Sequence, residues 1–138
     1  MKSAPCIFCD IVAGRSPASI ICENDYVMAI TPREIEAPGH TSLIPKRHSA
    51  NLLDIHPDNL NHLLQFTKGL AHYLNQANEA DGFNLLHASG EAAQQSVGHF
   101  HMHLIPRQTN DGLNTWPTLP GANSSLHPIA WSALSPYL

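Results

Sequence analysis

The stretch Val97-Gly98-His99-Phe100-His101-Met102-His103-Leu104-Ile105-Pro106-Arg107 constrains the fold more than any other part of the chain. Its three histidines alternate with Phe100, Met102 and Leu104. Alternation at a period of two predicts a β-strand, with imidazoles on one face and apolar side chains on the other. A slip of one residue would bury all three imidazoles, so the pattern also fixes the register. Histidines two apart lie roughly 6.6–7 Å from each other along a strand, close enough to converge on one ion. Pro106 has no N–H for a ladder and predicts a strand end or an edge.

Three chemistries compete for this pattern. The imidazoles are polar residues on a solvated strand face, or a His-x-His metal site, or a phosphate site with a nucleophilic or acid–base histidine. Imidazole titrates near neutrality and attacks phosphorus, which suits the third.

The remaining elements follow in order. Cys6-Ile7-Phe8-Cys9-Asp10-Ile11-Val12-Ala13-Gly14 opens with Cys-x-x-Cys and runs into a short apolar helical turn stopped by Gly14. The cysteine pair reads as half a zinc site, a redox pair or two core thiols. Cys22 reads as an inert buried thiol. Residues 19–22 and 26–30 predict two short strands joined through Glu23-Asn24-Asp25 as a hairpin. Residues 31–39, with Pro32 and Pro38, predict a loop, and residues 41–45 a third strand. After it, Lys46-Arg47-His48 reads either as a solvated turn or as a phosphate-facing end. Leu60, Leu63, Leu64, Leu70, Ala71 and Leu74 recur at helical spacing, so residues 57–80 predict one long helix, with Pro57 in its first turn and Asp81-Gly82 as its stop. His62 and His72 read as surface residues on its margins. Residues 83–87 predict a fourth strand, and residues 88–95 a small-residue loop leading into the histidine stretch.

Beyond Gln108 the chain has one acidic residue, Asp111, no Lys or Arg, and four prolines: Pro117, Pro120, Pro128 and Pro136. Trp116, Trp131 and Tyr137 read as apolar anchors of a tail packed on the same domain. Strands around one helix, without regular βαβ alternation, predict an α+β fold with a largely antiparallel sheet. A sheet this small leaves an edge open, which predicts pairing into a two-fold homodimer.

At 138 residues, 43% apolar and 13% charged, the chain reads as a globular domain rather than a disordered one. A net charge of −4 argues against binding nucleic acid through a basic field. The first residues do not read as a signal peptide, and no apolar run approaches membrane-spanning length. Three cysteines are too few for a disulfide scaffold and point to a reducing, cytoplasmic setting.

His99-x-His101-x-His103-Leu104-Ile105-Pro106-Arg107 resembles the signature of the histidine-triad (HIT) superfamily. Cys6 to Gly14, Ala37-Pro38-Gly39-His40-Thr41, Ile44-Pro45-Lys46-Arg47-His48 and Gln95-Ser96-Val97 resemble further family blocks in family order. The resemblance covers residues 4–107, which defines residues 1–107 as a HIT domain and 108–138 as the tail. It implies a nucleotide hydrolase or transferase that cleaves a nucleoside phosphoramidate or dinucleoside polyphosphate at the α-phosphate. His101 would be the nucleophile and form a nucleotidyl-histidine. His103 would contact the phosphate and assist proton transfer to the leaving group. Gln95 and Ser96 would bind phosphate or bridging oxygen, and Phe8, Ile11 and Ile30 would line a nucleoside slot. Cys6, Cys9, His48 and His99 match positions that bind zinc in some bacterial members, where four closed ligands make the metal structural. Three positions depart from the pattern. Pro32, beside Arg33 and Glu34, stands where many members carry a ribose-holding Asp; Ala88-Ser89-Gly90 replaces Asn-x-Gly; Gln94 replaces a glycine. These departures favour an alternative, a nucleotide-binding or interaction module with weak turnover. A zinc-dependent hydrolase using the triad as ligands is a third reading.

Overall fold

The computed structural model describes residues 5–116, 121 and 129–138. Two helices and one sheet carry the architecture: α1 Ile7–Val12, β1 Ile20–Glu23, β2 Val27–Ile30, β3 Thr41–Pro45, α2 Pro57–Gln76, β4 Gly82–Leu86 and β5 Met102–Arg107. The strands form one five-stranded sheet in the order β1-β2-β3-β5-β4, and every pairing is antiparallel. This is the α+β, HIT-like arrangement expected from the sequence.

The hairpin forms because Asn24 supplies its own turn. Its side-chain oxygen accepts from the backbone N–H groups of Tyr26 and Val27, and its N–H donates to the Val27 carbonyl. Both helices end in the same way. Gly14 (φ +77) lets its own N–H reach the Ile11 carbonyl while Arg15 N–H reaches Asp10. Asn78 (φ 59) does this for α2, with its N–H on Asn75 and Glu79 N–H on Leu74. These paired bonds satisfy the last helical carbonyls, and Asn tolerates the left-handed conformation they require. The long helix therefore stops at Gln76, ahead of the expected Asp81-Gly82.

The sheet has two covered faces. On one, α2 packs Leu60, Leu63, Phe66, Leu70, Ala71 and Leu74 over buried Val27, Ala29, Leu43, Phe100, Met102 and Leu104. Leu64, expected on that helix face, is instead 43% exposed. On the other, α1 packs Phe8 and Val12 with buried Ile11, Met28, Ile30 and Ile44. The alternation read in the histidine stretch is thus a real division between the helix side and the opposite side.

The strand itself is shorter than expected. β5 begins at Met102, and its ladder with β3 ends at the Leu43–Met102 pair. His99, Phe100 and His101 lie in the extended segment just before it, because Phe100 N–H turns to the Ser49 carbonyl. Pro106 lies inside β5, paired with Phe83 of β4 but past the last partner on β3. On that side Gly39 (φ +82) comes so close that a Cβ there would stand 3.1 Å from Pro106.

The tail follows β5 directly. Arg107 fastens only its root, donating to both oxygens of Asp111, the Leu113 carbonyl, Asn84 and Thr115. Trp116, Trp131 and Tyr137 are 75%, 67% and 85% exposed among the described residues. Pro117, Pro120 and Pro128 lie outside the described residues. Cys22, expected to be buried, is exposed on the outer strand β1. Among the described residues no helix is long and apolar enough to cross a membrane.

The two leucines Leu63 and Leu53 test this packing. Leu63 is fully buried, whereas Leu53 is 94% exposed. Leu63→Ala should cost about 2–5 kcal/mol in denaturant unfolding, and Leu53→Ala less than about 0.5 kcal/mol. Equal effects would contradict the placement of α2.

Candidate functional site

Two sites meet at the segment that feeds β5. The first is a cluster of Cys6, Cys9, His48 and His99, whose ligand atoms all lie within 4.8 Å of one another. Cys6 caps the start of α1 and Cys9 lies one turn in, so the helix itself brings the two thiols together; Cys9 N–H points at the Cys6 sulfur at 3.4 Å. His48 comes from the end of β3 and His99 from the segment before β5. The closest approaches are His48 Nδ1 to His99 Nδ1 at 3.1 Å, Cys9 Sγ to His48 Nδ1 at 3.3 Å and Cys6 Sγ to His99 Nδ1 at 3.4 Å.

The orientation of His99 is determined. Its Nε2–H donates to the Pro45 carbonyl at 2.8 Å, which leaves the Nδ1 lone pair facing the sulfurs. His99 is fully buried, and burial pushes its pKa down despite that hydrogen bond. Burial, and then the adjacent Cys6 thiol, push the Cys9 thiol up to about 11. Two sulfurs and two imidazole nitrogens from three separate segments, crowded onto one point, are a donor set that a metal cation would stabilise. The four residues can hold a metal ion. Of the cations just ahead of His48, Lys46 pairs with Glu23 at 3.3 Å and Arg47 is exposed. An open hollow of about 950 Å³ lies beside the cluster, lined by Cys6, Asp10, Arg15 and Ser96 among others.

The second site is built on His101 and His103. His101 Nδ1–H donates to the His99 carbonyl at 2.8 Å, so its Nε2 carries the free lone pair. The residue is 7% exposed, and Phe8 meets its ring edge-on at 5.1 Å. Burial lowers the His101 pKa, the His99 carbonyl opposes this, and His87 adds to it.

His103 is oriented by a residue the sequence reading did not assign. Glu36 N–H donates to His40 Nδ1 at 3.1 Å, which puts the His40 proton on Nε2. That Nε2–H then donates to His103 Nδ1 at 3.0 Å, so His103 keeps its proton on Nε2. Burial, and then the neighbouring His101 and His40 rings, push the His103 pKa down to about 4. His103 is therefore a neutral imidazole that presents an N–H. His40 stands in the Gly39-His40-Thr41 block; its buried place at the start of β3, opposite β5, could have flagged it once the strands were paired.

The other expected residues have mixed placements. Ile11 and Ile30 are 8% and 5% exposed and belong to the α1-side cluster beside these rings. Ser96 is exposed, close to the cysteine cluster. Gln95 is used up in its own loop: Oε1 accepts from Gly90 N–H, and Nε2 donates to the carbonyls of Ala50 and Val97. It braces the loop and has no amide hydrogen left over. Gln94 takes the left-handed conformation (φ 65) that glycine would adopt more easily, so the loop keeps its turn at a cost of about 1–2 kcal/mol. Pro32 is half-buried and Glu34 exposed.

Comparison with known proteins assigns the class. The HIT domain family matches residues 13–110. The chain is 38% identical over 116 residues to the adenosine 5'-monophosphoramidase HNT1 of Saccharomyces cerevisiae, covering 83% of this chain and 71% of that one. It is 36% identical over 115 residues to the protein hit of Bacillus subtilis, covering 82% and 79%. Among solved structures, a Zn-bound histidine triad family protein from Mycobacterium smegmatis superposes with a TM-score of 0.76 at 34% identity, covering 80% of each chain. A HIT family member from Bacillus subtilis superposes with a TM-score of 0.75 at 32% identity, covering 97% of this chain and 94% of the other, so the likeness extends into the C-terminal segment. The chain belongs to the HIT family.

The pKa directions make a prediction. In NMR titration of the metal-loaded protein, His101 and His103 should both titrate below the usual imidazole value, with His103 protonating near pH 4. In the unfolded chain each takes up its proton near 6.5. Below that pH the unfolded state binds more protons, so these groups make the fold lose stability as pH falls from about 6.5 towards 4. A His103 midpoint at 6.5 would contradict the His40 arrangement.

Proposed function

We propose that the protein is a nucleotide hydrolase or transferase that acts at the α-phosphorus of a nucleoside phosphoramidate or dinucleoside polyphosphate. One observation carries the reading: His101 Nδ1–H is tied to the His99 carbonyl at 2.8 Å, leaving Nε2 of this buried residue as the lone-pair nitrogen, a competent nucleophile. In this proposal Nε2 attacks the phosphorus as the bond to the amine or polyphosphate breaks, and the leaving group departs with a proton from water. The positive charge left on the His101 ring is shared with the His99 carbonyl. His103, through its Nε2–H, donates to a phosphoryl oxygen and stabilises the charge developing there. Water then attacks the nucleotidyl-histidine, its proton passes to the solvent hydroxide left by the first step, the N–P bond breaks, and His101 is regenerated as a neutral ring. Phe8, Ile11 and Ile30 give the nucleoside an apolar wall, and Ser96 with the 90–97 loop lies towards the phosphates. The adenosine 5'-monophosphoramidases among the relatives support a phosphoramidate as the first substrate to test.

The cysteine cluster fits Zn²⁺ as its metal. Bond lengths of about 2.3 Å to sulfur and about 2.0–2.1 Å to nitrogen place tetrahedral ligands roughly 3.4–3.8 Å apart. The separations of 3.1, 3.3, 3.4 and 3.6 Å approach those values. Cys6, Cys9, His48 and His99 would hold the ion with no open position. Its contribution there is structural, a cross-link from α1 to β3 and to the segment that carries His101. Homodimerisation and a cytoplasmic setting belong to the same proposal.

A second reading, a nucleotide-binding module with weak turnover, is favoured by Pro32, Ala88 and the committed amide of Gln95. Hydrolysis of an adenosine phosphoramidate separates the two. Wild type should turn over, and His101→Ala should lose at least ~10³-fold in kcat, as removal of a nucleophile does. Tight nucleotide binding with no product from wild type would select the second reading.

The metal has its own test. Protein purified without chelator should contain one zinc per chain by elemental analysis. Cys6→Ser should lose it, and with it several kcal/mol of stability. A metal-free wild type with an unchanged melting temperature would remove zinc from the proposal.

A further inference from the structure

His87 has no part in the chemistry described so far, yet it touches the nucleophile's backbone. The β4–β5 ladder ends at the Leu86–His103 pair, leaving His101 beyond the paired region. There His87 replaces a ladder bond with a side-chain bond: its Nδ1–H donates to the His101 carbonyl at 2.8 Å. The same ring lies against Phe100, with centroids 4.2 Å apart and planes 24° from parallel. His87 thus grips two consecutive residues of the segment, one by hydrogen bond and one by its face.

The tautomer this requires is locked from outside. Leu52 N–H donates to Ser89 Oγ at 2.8 Å, which directs the Ser89 hydroxyl hydrogen to His87 Nε2. With Nε2 accepting, the His87 proton stays on Nδ1, where the His101 carbonyl needs it. A continuous chain therefore runs from the loop after β3 through Ser89 and His87 to His101. That loop also carries Ser49, whose carbonyl accepts from Phe100 N–H, and Ala50, whose carbonyl accepts from Gln95.

We propose that His87, held in one tautomer by Ser89, is a positioning residue that sets the backbone of His101 and so the aim of its imidazole. This rests on His101 being the nucleophile. The Nδ1–H of His101 bonds to a carbonyl two residues back, so the ring follows its own backbone. Once the backbone at 101 rotates, Nε2 leaves the line of attack, and displacement on the ångström scale is costly in rate. Substrate binding depends on other residues and should be little affected.

The experiment uses the full-length, metal-loaded protein as wild type, His87→Phe, His87→Asn and Ser89→Ala. Phe keeps the stack on Phe100 and deletes both hydrogen bonds, whereas Asn restores a donor near the former Nδ1–H. Nitrogen-15 imidazole spectra report the His101 tautomer, and adenosine phosphoramidate hydrolysis reports kcat and KM separately. In His87→Phe, His101 should lose its single Nδ1–H signature, and kcat should fall about tenfold or more with KM within about twofold. Ser89→Ala should change both readouts in the same direction by less, and His87→Asn should recover most of the loss. An unchanged His101 signature and kcat in folded His87→Phe would overturn the proposal, as would a loss confined to KM or failure of Asn to rescue at an unchanged melting temperature. If His87→Phe fails to fold, Ser89→Ala decides by the same criteria. If wild type has no turnover, the proposed function fails while the spectra alone decide the positioning role: a changed His101 signature supports it and an unchanged one overturns it.

Discussion

The imidazole of His99 and its backbone carbonyl are the point on which the rest of the site depends. The Nε2–H bond to the Pro45 carbonyl orients the ring and leaves Nδ1 facing Cys6, Cys9 and His48. The carbonyl of the same residue accepts from His101 Nδ1–H and so decides which nitrogen of His101 is free. One residue therefore couples the N-terminal helix, the end of β3 and the imidazole of His101. Rotating its ring would break the bond to Pro45 and turn the protonated nitrogen towards the sulfurs. Full burial of His99 raises the cost of that, because an unpaired N–H inside the protein loses its water as well as its partner.

Tautomers in this site are determined in series, and each chain begins at a backbone group that cannot change its role. Glu36 N–H fixes His40, and His40 fixes His103. Leu52 N–H directs Ser89, and Ser89 fixes His87. The rings of His40, His101 and His103 can crowd together because burial disfavours their charged forms, and neutral rings exchange hydrogen bonds rather than repel. The result is one lone pair, on His101, and one N–H, on His103, presented by residues two apart in one extended segment.

Much of the fold was legible because local physics dictates it. Alternation placed Phe100, Met102 and Leu104 under the long helix, and they are there. Leucine spacing found α2, Asn24 found the hairpin, and Gly14 found the end of α1. The misreadings have separate causes. The start of β5 depends on Phe100 N–H finding Ser49, 51 residues earlier, and no periodicity encodes that. The end of α2 was legible in Asn78, but glycine is the commoner signal and Gly82 drew the assignment past it. Trp116, Trp131 and Tyr137 were read as anchors on hydrophobicity alone, which cannot say whether a surface exists to receive them.

The sequence by itself determined which residue types are available and which face of each element they occupy. It separated imidazoles from apolar partners by period two and placed two thiols one helical turn apart. Likeness to a known family then assigned expected roles to His101, His103 and the Cys6, Cys9, His48 and His99 set. Only the tertiary structure decided what each ring nitrogen does. A histidine's tautomer is set by whatever faces its other nitrogen, and here those partners are Pro45, His40 and Ser89, on strand ends and loops that periodicity does not bring together. It also gave work to His40, His87 and Arg107, because hydrogen bonds between distant segments exist only once the chain has folded.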